Sequence, residues 1–317
     1  MKNVKTLIVV ALMGVSLFAS TTRTDALGGA GFWAEDFANV AHFPAEVNNH
    51  SVAWTDGTDF TSIFNANGTT WGFTGGTGND VVNMMWGNGT MGAAFGLTMT
   101  PEMKVADGDA MDADGTMGMN LGFGMPLAGM DFGFTYAMNE DKSGNVGINL
   151  RRAQNIWLWD NMLVNFNLDM EGDNGTADDA SDDIAGGMEF GTSFYSNKSY
   201  SSGTNGLFAF GFAYDAPGCV GDGCEAPDAT MAINWNFGVE SAMTDWATLR
   251  VGYEHGYDFA NGGVDGDGFT IGLGFNYGSF NLDMALANTM MFNDPVKYMT
   301  GRNDDTLGAG WTISYAW

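Results

Sequence analysis

The chain has 317 residues, enough for one large domain or two small ones, and carries 38 Asp and Glu against 11 Lys and Arg, a formal net charge of −27. So few cations exclude a surface built to hold nucleic-acid phosphate, which needs clustered Lys and Arg. Acidity would also suit a disordered chain, but aromatic residues make up 13% and recur periodically, so the acid belongs to loops on an ordered scaffold.

Residues 1–20 read as a secretory signal peptide: Lys2 and Lys5, an apolar run from Thr6 to Phe18, then small residues from Ala19 to Thr22. The apolar run is shorter than the roughly 20 residues that span a bilayer as a helix. No later stretch is uniformly apolar over that length. A membrane protein without spanning helices must be a closed barrel, because hydrocarbon cannot satisfy open strand edges.

Periodicity is poor over residues 21–68. The Gly-Ala-rich Ala26-Leu27-Gly28-Gly29-Ala30-Gly31, the acidic and small Glu35-Asp36-Phe37-Ala38-Asn39-Val40 and the turn Phe43-Pro44-Ala45 together resemble the amino-terminal region of the FadL-type outer-membrane transporters and their PorV-like relatives. Phe43 stands where that family usually has Asn, and Glu46 where Gly is common. The resemblance implies an amino-terminal segment folded into the lumen as a plug, in a 14-stranded barrel that passes hydrophobic molecules. The residues themselves leave open a periplasmic extension, or one extra hairpin at Ser51 to Phe64.

From residue 69 onward, alternation predicts an antiparallel up-and-down transmembrane β-barrel of about 14 strands, residues 69–317. The first seven are Thr69 to Gly75, Asn79 to Trp86, Thr90 to Thr100, Thr116 to Met125, Met130 to Met138, Asn145 to Ala153 and Asn161 to Met170. The second seven are Gly187 to Ser196, Leu207 to Tyr214, Ala229 to Glu240, Ala247 to Tyr257, Gly268 to Asn276, Phe280 to Met290 and Ala309 to Trp317. The clearest pair is Met117 to Met138. Met117, Met119, Leu121, Phe123 and Met125 alternate with Gly or Asn, and Met130, Phe132, Phe134, Tyr136 and Met138 with small or polar residues.

Connections should alternate between short periplasmic turns and longer external loops. Gly87 to Gly89, Pro126 to Gly129, Ser241 to Trp246 and Tyr277 to Ser279 fall on the short side, whereas Asn197 to Gly206 is long for that side. The last strand ends in Trp311, Ile313, Tyr315 and Trp317, and the terminal aromatic Trp317 resembles the sorting signal read by barrel assembly machinery.

With the apolar parity facing lipid, the inward parity carries Asp131, Asn149, Arg151, Asn165, Asn167, Asp169, Glu189, Asn234, Asn236, Glu240, Arg250, Glu254, Asn281 and Asp283. A lumen with more carboxylates than guanidinium groups suits passive passage of small cations and neutral hydrophilic solutes, as in a porin. The alternatives are a FadL-like transporter of hydrophobic molecules and a structural or complex-anchoring barrel. In the transporter, aromatics of the amino-terminal segment (Phe32, Trp33, Phe37, Phe43 and Trp54) would supply the apolar pocket. Arg250 is expected to pair with Glu254 on its own strand, and outward Arg152 to reach the headgroups.

Asp107, Asp109, Asp112 and Asp114 in one external loop, and Asp265 and Asp267 in another, are oxygen ligands of the kind Ca²⁺ takes, without EF-hand spacing. They read first as solvated loop charge that binds divalent ions loosely, and no other cofactor is expected. Cys219 and Cys224, exported to an oxidising compartment, should form a local disulfide. No Gly-x-Ser-x-Gly, His-Glu-x-x-His or phosphate-binding Gly loop appears, so no catalysis is expected. The expected setting is the outer membrane of a Gram-negative-type bacterium. The expected partners are membrane lipid, the assembly machinery and small solutes, with homo-oligomers left open.

Overall fold

The computed structural model describes residues 21–27, 31–33, 36–76, 80–100, 115–138, 144–170, 186–200, 203–219, 228–286 and 309–317. A short helix α1 (Thr21–Leu27) and two 3₁₀ segments (Phe37–Ala41 and Pro44–Asn49) precede the strands. The first eight strands are β1 (Val52–Thr55), β2 (Asp59–Ala66), β3 (Thr69–Gly76), β4 (Asp80–Gly87), β5 (Gly92–Thr100), β6 (Thr116–Leu127), β7 (Met130–Met138) and β8 (Gly144–Ile156). They continue as β9 (Trp159–Met170), β10 (Met188–Tyr200), β11 (Thr204–Ala216), β12 (Thr230–Thr244), β13 (Ala247–Asp258), β14 (Gly263–Tyr277), β15 (Phe280–Leu286) and β16 (Ala309–Ala316). Each pairs antiparallel with its neighbours in sequence, and β1 pairs with β16 to close the ring.

The all-β, up-and-down, closed architecture is borne out, but the barrel has sixteen strands rather than about fourteen. All fourteen expected strands are present. The two more, β1 and β2, come from the stretch expected to precede the barrel, so the ring begins at Val52 rather than at residue 69. Their pattern hides them. β1 is four residues long, and β2 places Ile63, fully buried, on the inner parity and Ser62 on the outer.

The two faces of the sheet differ as the period of two requires. One carries exposed large apolar residues, among them Phe60, Phe73, Met117, Phe123, Phe190, Phe212, Phe237 and Ile313. The other is the inner face, because described residues between Thr22 and Asn48 touch it nearly all the way round the ring. Thr22 meets Thr312 on β16, the Ala26 carbonyl accepts from Thr270 on β14, and Arg23 pairs with Glu240 on β12. Asn197 on β10 donates to the Phe32 carbonyl, Glu46 pairs with Arg151 on β8, and Asn48 donates to the Met91 carbonyl beside β5. A chain that touches both sides of a closed ring lies inside it. The described residues between 21 and 49 therefore occupy the interior, followed by a β1–β2 hairpin in the wall; the sequence had left these as alternatives.

One rim of the barrel has only tight connections: 67–68, 88–91, 128–129, 157–158, 201–203, 245–246 and 278–279. Asn67-Gly68 and Ala128-Gly129 have both residues at positive φ, the backbone that matches the twist of a two-residue hairpin. The expected long turn from Asn197 to Gly206 shrinks to 201–203, because β10 and β11 run on to Tyr200 and from Thr204. The opposite rim holds the longer loops. The loop after β13 is only 259–262, so Asp265 and Asp267 belong to β14 rather than to an external loop. Residues 1–20, Asp107, Asp109, Asp112, Asp114 and Cys224 lie outside the described residues. No free cysteine occurs among those described, and Cys219 has an interaction partner. Among the described residues no helix is long and apolar enough to cross a membrane.

Candidate functional site

Arg23 on α1 is 1% exposed and is held by the wall. Its Nε and Nη2 donate to the Glu240 carboxylate at 2.8 and 3.2 Å. Arg250, the register partner of Glu240 on β13, donates its Nε to the same carboxylate at 2.7 Å and its Nη1 to Asp283 at 2.6 Å. Asp36 lies 3.7 Å from Arg23, whose guanidinium sits over the Trp33 ring at 5.0 Å. Two guanidinium groups and three carboxylates are thus buried together. Such charges persist away from water only when each is paired and hydrogen-bonded. Gly238 and Gly272 let the helix approach: a Cβ on the first would press on the Leu27 carbonyl, and on the second would overlap Ala26.

The opposite wall receives residues 42–48 on a row of glycines. Gly87, Gly92, Gly124 and Gly133 are successive register partners across β4, β5, β6 and β7. A Cβ on Gly92 would overlap the Pro44 carbonyl, on Gly124 the Ala45 nitrogen, on Gly133 the His42 carbonyl, and on Gly87 the Asn48 side chain. Missing side chains make a smooth channel one backbone wide. At its end Arg151 pairs with Glu46 of the segment and with Asp131 of β7 at 3.0 Å, and lies over Phe43 at 4.7 Å. Both clusters sit in the half of the barrel nearer the tight turns.

In the half nearer the long loops the inner face is uncovered among the described residues. Three amides orient three carboxylates across neighbouring strands: Asn145 donates to Asp169 at 2.8 Å, Asn167 to Glu189 at 3.1 Å and Asn236 to Glu254 at 3.0 Å. Asp169, Glu189 and Glu254 are exposed, and Asn165, Asn167, Asn234 and Asn236 partly so. Asn149, Arg151, Glu240, Arg250, Asn281 and Asp283, further down the same parity, are buried. Asp25 of α1 is exposed, and partial desolvation with the Glu254 carboxylate raises its carboxyl above the ordinary range. Nearer the tight rim, burial lowers the His50 imidazole to about 4, beside Phe37. At the long-loop rim the Asp59 and Thr58 amides lower the Asp56 carboxyl.

The inward set named from the sequence therefore lies on one face, divided between a covered half and an open half. Contrary to the expectation that Arg250 pairs with Glu254, it pairs with Glu240 and Asp283 across strands. The residues of the segment that complete the two clusters, Arg23, Asp36 and Glu46, were not anticipated; a charged residue in an otherwise apolar and small stretch was their only signal. Phe32, Trp33, Phe37 and Phe43 are buried, packed against Tyr195, the Arg23 guanidinium, Trp54 and the Arg151 guanidinium in turn, rather than lining an open pocket. Arg152 faces outward and is exposed. Among the described residues no group of three or more His, Cys, Asp or Glu is placed to hold a metal ion. Comparison with protein-family models and with characterised proteins finds no match.

Proposed function

We propose that the chain is an outer-membrane channel for passive passage of small hydrophilic solutes, preferring cations, and that residues 21–49 narrow its lumen from the side of the tight turns. The observation that carries this reading is the division of the inner face. Oriented carboxylates and amides line an open mouth below the long loops, while the polar groups beneath are covered by the segment. An acidic mouth with low-dielectric walls concentrates cations.

Membrane insertion is supported by the outer face. Its apolar residues are exposed all round, and Trp157, Tyr200, Trp246, Tyr277 and Trp317 stand exposed along the tight-turn rim. Rings with one apolar and one wet side suit the membrane–water boundary. The eight-residue strands β2, β3 and β4 rise about 3.3 Å per residue, so they cover most of the roughly 25 Å apolar band only at modest tilt, whereas β8 to β14 exceed it. Passage of hydrophobic molecules has less support: the ring exceeds the fourteen strands the resemblance implies, and the aromatics that would line an apolar pocket are packed into the walls.

Conductance of the refolded chain lacking residues 1–20, in a planar bilayer, tests the reading. The full barrel should pass small cations in preference to anions, and removal of residues 21–49 should raise the conductance while keeping that preference. A barrel closed to ions that takes up a long-chain fatty acid into liposomes would overturn it.

A further inference from the structure

The wall cluster of Glu240, Arg250 and Asp283 has a property that its occupant reveals. Without Arg23 it holds two carboxylates and one guanidinium, a net charge of −1 inside the barrel. Arg250 satisfies one oxygen of Glu240 and one of Asp283 from within the wall. The remaining demand is for one cation with two parallel donors, and Arg23 meets it in side-on fashion, Nε to Oε2 and Nη2 to Oε1. That fork-on-fork geometry is the arrangement a guanidinium makes with a carboxylate and an ammonium cannot. Because Arg23 belongs to a segment 217 residues away in sequence and not to the wall, the socket and its filler are separable parts.

From this we infer that Glu240, with Asp283 and Arg250, forms a binding site for guanidinium-bearing solutes, and that Arg23 fills it as a built-in competitor. A solute carrying a guanidinium group occupies the socket at the expense of Arg23 and loosens α1 from the wall. Trp33 and Asp36, which flank Arg23, belong to the segment, whereas the carboxylate that accepts the fork, Glu240, belongs to the wall and sets the preference for a guanidinium. Sodium lacks the directional donors, and methylammonium lacks the planar fork. As a solute site this rests on the reading of the interior as a passage, whereas its preference for guanidinium is read without any passage of ions.

Two measurements on the full mature chain in detergent test it, with guanidinium chloride at low millimolar concentration as the probe. The first is hydrogen exchange over residues 21–33 of the wild type. Guanidinium should accelerate it severalfold while equal sodium chloride, methylammonium or urea does not, and Glu240→Gln should exchange fast from the start and show no response. The second is calorimetric titration of Arg23→Ala, whose vacated socket should bind guanidinium more tightly than methylammonium and lose that binding when Asp283→Asn is added. No response in the wild type, a response matched by urea, or equal binding of the two cations would overturn the site. These readouts are independent of conductance. A barrel that binds guanidinium but passes no ions would refute the channel and leave the socket standing, and the reverse result would do the opposite.

Discussion

Gly92 and Pro44 meet backbone to backbone: the position a Cβ would take on Gly92 is already filled by the Pro44 carbonyl. The same holds for Gly124 and Gly133 with Ala45 and His42, so the segment rests on the wall through main chain rather than interdigitated side chains. Gly92→Val or Gly133→Val should therefore expel residues 42–48 while the outward-facing barrel surface is unchanged. The expected outcome is a barrel that keeps its strand content by circular dichroism and has a larger conductance than wild type. Unaltered conductance with both variants would mean that the wall yields instead of the segment.

Arg151 is shared by Glu46, on the segment, and Asp131, which is half exposed. Replacing it by Met strands a buried carboxylate, at a cost of about 3 to 5 kcal/mol. Arg151→Met should thus lower the unfolding midpoint sharply, whereas Arg151→Met with Glu46→Met should recover most of the loss. Equal destabilisation by the single and double changes would show that the pair is not coupled.

His50 gives the interior segment a pH dependence whose sign follows from burial. Its folded pKa, about 4, lies below the ordinary imidazole value of 6.5, so the unfolded chain binds the extra proton first. The stabilisation from keeping it neutral is present in full above pH 6.5 and is lost as the pH falls toward 4. The limit is about 3 kcal/mol at 1.36 kcal/mol per unit. Hydrogen exchange of residues 36–50 at pH 7 and at pH 4.5 should show protection falling in the wild type and holding in His50→Gln. Parallel loss in both proteins would assign the acid sensitivity to carboxylates instead.

Charge at the open mouth should govern selectivity without touching the fold. Asp169, Glu189 and Glu254 are exposed, each held by one amide. Converting all three to Asn or Gln should reduce the cation-to-anion permeability ratio, most clearly at low salt where screening is weak. Reversal potentials in a salt gradient measure this. A ratio that stays put would locate the filter elsewhere in the lumen.

The strands from β3 onward were legible because most of their inward positions are small or polar while the outward positions are apolar. β1 and β2 were not, and the reason is the segment they face. Ile63 packs on Val40 and Val47, so an apolar residue was required on the inner parity there, inverting the signal. Tyr195 and Leu207 face Phe32 and Trp33 for the same cause. The ion pairs were hidden by a different physics. Four residues along a strand separate Arg250 from Glu254 by about 13 Å, while a cross-strand partner lies about 5 Å away. Glu240 becomes that partner only through the register of β12 on β13. Inward glycines were legible as vacant volume, but nothing local says that a stretch of main chain fills it.

The ring is closed by its shortest strand. β1 meets β16 through only four register pairs, Val52 with Ala316 to Thr55 with Ile313, and these join the beginning of the wall to its last residues. Contacts of such sequence separation form late, since a long loop must be closed before they are rewarded. The cylinder cannot close until both ends of the wall are in place. Because Asn49 to Ser51 lead straight into β1, the seating of Arg23 and Glu46 and the closure of that seam are coupled steps of one assembly event.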